Sequence, residues 1–182
     1  MLVLPPTYDD ACVVRVATES SVGPQQTDGN AHMNVRHIYA LGVAGADVLS
    51  ELAGVDDRYR ATRSMGTFGA EHHITYLAEI HAGDVVAPRP LWVGRSSRAA
   101  HMLVLITNES TRMLAAVLEL VIVHVDLGTR RPAPFPADVA ASIDAGVAGT
   151  ASLGFDLPLC GFMQVRGGPR AAVGAGGVSE LG

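Results

Sequence analysis

Between residues 35 and 52 the apolar positions Val35, Ile38, Tyr39, Ala46, Leu49 and Leu52 recur at helical spacing. The pattern predicts one long helix, with Gly54 as its stop signal. Gly42 and Gly45 lie inside it and each costs helix propensity. Small residues there imply close packing against something flat, such as a sheet. The rest of the chain follows a different period. Residues 11–19 are rich in Val and Thr and read as a first strand. Residues 64–77, 84–93, 101–107 and 113–125 give four more. Turn chemistry separates them at Ala82-Gly83-Asp84, Gly94-Arg95-Ser96-Ser97 and Asn108-Glu109-Ser110-Thr111. Residues 118–125 are partly alternating and partly continuous in apolar character, which suits a strand well buried in a sheet. The polar residues 56–63 predict a short second helix, and residues 137–145 a short terminal one.

The order is strand, long helix, then four strands at hairpin spacing. It predicts an α+β domain in which one antiparallel sheet of about five strands packs on one helix. A lone helix covers only part of one sheet face, so a second copy that extends or covers the sheet is a natural solution. Residues 1–145 make up this domain, and the Gly- and Ala-rich residues 146–182 are expected to form a poorly ordered tail.

Composition narrows the function classes. The chain has 182 residues, 48% hydrophobic and 17% charged, enough for one globular core. A net charge of -5 argues against nucleic acid or an anionic membrane surface as partner. The start, Met1-Leu2-Val3-Leu4-Pro5-Pro6, has no basic region and too short an apolar run for a signal peptide. Residues 114–125 are interrupted by Glu119 and His124 and are too short to span a bilayer. A soluble cytoplasmic protein is expected. Cys12 and Cys160 make no disulfide framework and have no metal-ligand spacing.

The chemistry concentrates in Asp28-Gly29-Asn30-Ala31-His32-Met33-Asn34, at the mouth of the long helix. By themselves these residues are ordinary material for a turn and a helix cap. Asp28 can also act as a nucleophile or a general base, and free N–H groups at a helix N-terminus can stabilise a developing oxyanion. Glu71 and His73 fall on one face of a strand and His72 on the other, which reads as a solvated or hydrogen-bonded surface rather than a metal site. Glu79 reads as structural, near the following turn. No Gly-rich phosphate loop is present in the sequence.

Three segments together resemble one family. Residues 28–34 are similar to the Asp-x-x-Gly-His-Met-Asn motif of hotdog-fold acyl-CoA thioesterases of the 4-hydroxybenzoyl-CoA thioesterase type. His73-Ile74-Thr75-Tyr76-Leu77-Ala78-Glu79-Ile80-His81-Ala82-Gly83-Asp84 resembles that family's central strand and turn. Val123-His124-Val125-Asp126-Leu127-Gly128-Thr129-Arg130-Arg131-Pro132-Ala133-Pro134-Phe135-Pro136 resembles the end of its last strand. The last two are especially similar to carnitine-pathway betainyl-CoA thioesterases, and the likeness covers about residues 10–145.

The resemblance implies a long helix wrapped by a curved antiparallel sheet, assembled as a homodimer or a dimer of dimers (a homotetramer) with sites at the interface. It implies hydrolysis of an acyl-CoA thioester, with Asp28 as nucleophile or general base. The backbone N–H of Asn34 or Val35 would polarise the carbonyl, and His32 would shape the loop and contact the acyl group. No metal or other cofactor is implied, coenzyme A entering only as part of the substrate. Arg95, Ser97 and Arg98 suit its phosphates, or equally an ordinary solvated turn; Arg130-Arg131 has the same ambiguity. Tyr39, Phe68, Tyr76 and Trp92 are the aromatics available to line the acyl site or cage a quaternary ammonium, or simply to fill the core. One residue departs from the motif: Ala31 stands where the family has Gly, and pays a penalty if that position needs a positive φ. The alternatives are a non-catalytic hotdog protein that binds an acyl-CoA or other acyl ligand, and an assembly subunit without a small ligand.

Overall fold

The computed structural model describes residues 5–165 and 167–171. The chain opens on a short helix, α1 (Tyr8–Cys12), where a strand over 11–19 was expected. The reason is local. The Thr7 hydroxyl accepts from the Asp10 N–H at 3.1 Å and the Asp10 carboxylate accepts from the Thr7 N–H at 2.9 Å. This reciprocal cap starts a helix just before the Val-rich run. Sheet pairing waits until β1 (Ser20–Ser21). A single 3-10 turn (Pro24–Gln26) and the polar loop lead into α2 (Val35–Leu52), which has the predicted bounds. Asp56 then caps α3 (Asp57–Arg63), its carboxylate accepting from the Tyr59 N–H.

Four long strands follow: β2 (Met65–Tyr76), β3 (Val85–Arg95), β4 (Ala99–Asn108) and β5 (Met113–Asp126). With β1 they form one antiparallel sheet in the order β1-β3-β4-β5-β2, and a two-residue β6 (Arg131–Pro132) pairs with β5. This is the α+β arrangement expected: a curled sheet of five principal strands around one long helix. The interior glycines of α2 explain how close the layers come. A Cβ on Gly42 would lie 2.7 Å from Leu118 Cδ2, and one on Gly45 only 2.8 Å from Pro88 Cβ. Pro88 is a rigid ring inside β3 and cannot swing away. We expect Gly45→Val to destabilise the chain by about 1–3 kcal/mol through overpacking, measured by urea unfolding, despite the better helix propensity of Val.

The last helix, α4 (Ala137–Ala151), runs six residues beyond the expected end at Ala145. Gly146 is not a stop. It is the point where α4 meets the buried Trp92 indole, leaving no room for a side chain. Val139, Ile143, Val147 and Thr150 continue one buried face past it. The chain then crosses to the other side of the sheet. Leu157, Met163 and Val165 are buried there, Met163 and Val165 against Val121. Ala171 N–H donates to Val93 O at 2.7 Å. Residues 146–165 are thus part of the packed structure, not the loose tail expected from Gly146 onward, while 172–182 lie outside the described residues. Composition misled here because Gly and Ala suit tight contacts as readily as disorder. No single helix among the described residues is long and apolar enough to cross a membrane.

Candidate active site

The loop before α2 is a closed turn. Asp28 N–H donates to His32 O at 2.9 Å, and Ala31 N–H donates to Asp28 O at 3.0 Å. The Asp28 carboxylate accepts one backbone bond, from Asn30 N–H at 2.8 Å, and is otherwise exposed. Ala31 sits at φ 64°, in the left-handed region. The departure from Gly at this position therefore carries strain, as its place in the motif suggested. Ala31→Gly should raise stability by about 0.5–1 kcal/mol, the relief of strain exceeding the added chain entropy of Gly. Thermal and urea unfolding will check this.

The far side of the loop is stapled to the sheet end. Met33 is buried and donates to Ile80 O at 2.7 Å, and Asn34 N–H donates to Gln26 O at 2.8 Å. The Asn34 side chain caps the helix by accepting from Arg36 N–H at 3.1 Å. Of the two amides expected to polarise a carbonyl, that of Asn34 is therefore spent. Val35 N–H has no acceptor among the described residues. It occupies the first position of an eighteen-residue helix, where the dipole places partial positive charge. A carboxylate with spare lone pairs and an open helix N–H thus sit on one short loop, seven residues apart in sequence. The family model described as Thioesterase-like superfamily matches residues 22–143, which include this loop, the whole of α2 and all four long strands.

The chain belongs to the thioesterase-like superfamily. It is 26% identical over 127 residues to a betainyl-CoA thioesterase of Pseudomonas aeruginosa, a match covering 70% of this chain and 80% of that one. Among solved structures, a Staphylococcus aureus protein in complex with CoA superposes with a TM-score of 0.70 at 20% identity, over 84% of this chain and 96% of that one. A 1,4-dihydroxy-2-naphthoyl-CoA thioesterase from Synechocystis does so at 0.61 and 16% identity, over 69% and 93%. These two share the hotdog fold with the present chain.

The remaining residues singled out in this thioesterase-like chain are not all brought together. The Tyr39 hydroxyl on α2 hydrogen-bonds His72 Nδ1 on β2 at 2.5 Å. This confirms that His72 faces the helix, while His73, opposite Glu119, faces the other way. Phe68 and Tyr76 are exposed on β2 but pair with Val123 and Ala116, which lie on opposite faces of β5. They stand eight residues apart, roughly 26 Å along the strand, and within one chain cannot line one cage. Trp92 is core. Arg95 is engaged: Nε and Nη2 form a bidentate pair with Asp144 of α4 at 2.6 and 2.5 Å. The guanidinium expected to meet phosphates instead ties α4 to the sheet, and sequence reading missed it because Asp144 lies beyond the turn considered. Ser97 and Arg98 are exposed, and Arg98 makes no ion pair among the described residues.

Sequence reading also missed the contacts of Glu79. Its carboxylate lies 3.2 Å from His32 Nε2 and 3.6 Å from His81 Nε2. The signal was present as Glu79-x-His81, but nothing in one dimension joined it to His32. A cavity of about 720 Å³ opens elsewhere, between β2 and residues 157–164, lined by His73, Thr75, Leu77, Val117 and Met163. It does not include residues 28–35.

Proposed function

We propose that this chain hydrolyses an acyl-CoA thioester to a carboxylate and free CoA. The observation that carries the proposal is the pairing, on one loop, of the underused Asp28 carboxylate with the unpartnered Val35 N–H. Thioester hydrolysis needs an attacking group and a donor where negative charge develops on the carbonyl oxygen. Asp28 supplies the first, as nucleophile or as general base for a water. Val35 N–H at the positive end of α2 supplies the second. Asn34 then serves as the cap that holds the helix mouth open, and His32 shapes the loop. The mechanism uses no cofactor beyond the CoA carried by the substrate. Ser97 and Arg98 remain the candidates for its phosphates.

The acyl site is open in one chain, and a second copy is proposed to close it. Supporting this, β2 is a twelve-residue edge strand that exposes Phe68 and Tyr76. A long unpaired edge invites pairing through its free N–H and C=O groups, and such pairing would place Phe68 and Tyr76 in or beside the interface. A homodimer, or a dimer of dimers, follows, and light scattering in solution will test it. The P. aeruginosa relative makes betainyl-CoA a member of the first substrate panel.

Catalysis is tested by release of CoA thiol over a panel of aliphatic, aromatic and quaternary-ammonium acyl-CoAs. Turnover of at least one class is expected. Binding of the same compounds without thiol release would overturn hydrolysis in favour of a binding protein, and no binding at all would point to an assembly subunit.

A further inference from the structure

We infer that His32, Glu79 and His81 form a binding site for one divalent transition-metal ion of the Zn²⁺ class. The three residues come from segments 47 positions apart, joined by an isolated antiparallel bridge between His32 and His81. Strand alternation explains why they converge. Met33 and Ile80 turn inward and are buried at 4% and 1% exposure, so their neighbours His32, Glu79 and His81 turn outward together. The backbone carrying them is pinned. Met33 N–H donates to Ile80 O at 2.7 Å, and Asp84 accepts from His81 N–H at 2.8 Å while holding Asn108 Nδ2 at 2.7 Å.

The side chains already have ligand spacing. One nitrogen or oxygen from each lies within 4.8 Å of the other two. The two nitrogen–oxygen separations, 3.2 and 3.6 Å, bracket the edge of a tetrahedron built on ~2.0–2.1 Å bonds, about 3.3 Å. Two imidazoles and one carboxylate suit Zn²⁺ and its borderline neighbours. Mg²⁺ wants hard oxygens in an octahedron and is excluded by the same set. Three protein ligands leave one position for water or another small donor. The rings of His32 and His81 meet edge to face with centroids 5.1 Å apart, and both present Nε2 to the same Glu79 carboxylate.

The consequence concerns the loop. His32 O accepts from Asp28 N–H, so an ion held through His32 would clamp the turn that carries Asp28 to the Glu79–His81 segment. The hydrolysis proposed above routes no step through it, and binding needs no turnover, so each reading can fail alone.

The test is calorimetric titration of the untagged, chelator-treated full chain with ZnCl₂, with melting temperature followed in parallel. One Zn²⁺ per chain and a raised melting temperature are expected, with no response to MgCl₂. Glu79→Gln is isosteric and exposed, and His81→Ala removes a ligand outside the catalytic loop. Each should weaken Zn²⁺ binding at least about tenfold, the lower end of what loss of a mere outer-shell partner costs, and abolish the thermal shift while leaving circular dichroism unchanged. Absence of binding by the wild-type chain, equal affinity in both variants, or an equal response to Mg²⁺ would each overturn the site.

Discussion

Asp28→Asn should lower turnover about a thousandfold with the fold intact. The expected size follows from the range for a positioned acid–base group, roughly 10²–10⁴, and corresponds to about 4 kcal/mol of transition-state stabilisation. Asn is the informative replacement because it preserves the turn. Its side-chain oxygen still accepts from Asn30 N–H, as Asp28 Oδ1 does at 2.8 Å. What disappears is the charge, and with it both nucleophilic attack and proton abstraction. Asp28→Ala would confuse loss of chemistry with loss of the turn. Thiol release with the best panel substrate, measured beside melting temperature, separates the two. Undiminished turnover in Asp28→Asn would remove Asp28 from the mechanism.

The second large effect lies on the opposite face of the sheet. Glu119 is 1% exposed, and its two oxygens are shared between His101 Nε2 and Cys160 N–H, each at 2.7 Å. Glu119→Ala is expected to cost about 3 kcal/mol, the scale for removing one partner of a buried pair. It strands the His101 ring and frees the segment that carries Met163 and Val165. Burial pushes the Glu119 carboxyl upward, but the hydrogen bonds from His101 and Cys160 outweigh it and hold it below the usual Glu range. A lowered carboxyl contributes stability above its unfolded value, and that contribution is lost as pH falls through the folded one. The advantage of wild type over Glu119→Ala should therefore be full at neutral pH and shrink as pH drops below about 4.3. Urea unfolding of both proteins from pH 7 to pH 3 will show it, and a gap that does not change with pH would refute the assignment.

Both effects rest on residues whose visibility in the sequence differed. The turn and helix cap around Asp28 were legible because their partners are local, and short-range backbone geometry is written in residue type. A catalytic role for Asp28 came only with the resemblance of residues 28–34 to the thioesterase motif. The same locality explains why α2 and the four long strands stand close to where periodicity put them. Ala31 stood out only through the motif, which has Gly at that position, and its φ of 64° shows that the position does need the left-handed region. The N-terminal helix is an instructive failure. Thr7-x-x-Asp10 was a readable cap signal, but the Val-rich run after it dominated the reading.

What the sequence by itself determined is the set of elements with one period each and the loop whose bonds close on themselves. Tertiary structure decided the rest, because burial and pairing act between residues that are distant in the chain. It committed Arg95 to Asp144, 49 positions away, and so took that cation from the expected phosphate site. It turned the Gly- and Ala-rich stretch from an expected tail into a packed helix and a cover for the sheet, since small residues are valued only once a Trp92 is known to press on them. It brought His32 to Glu79 and His81 through one backbone bridge. A sequence states which groups a chain carries; only the fold, by choosing which apolar neighbours go inside, decides which of those groups meet.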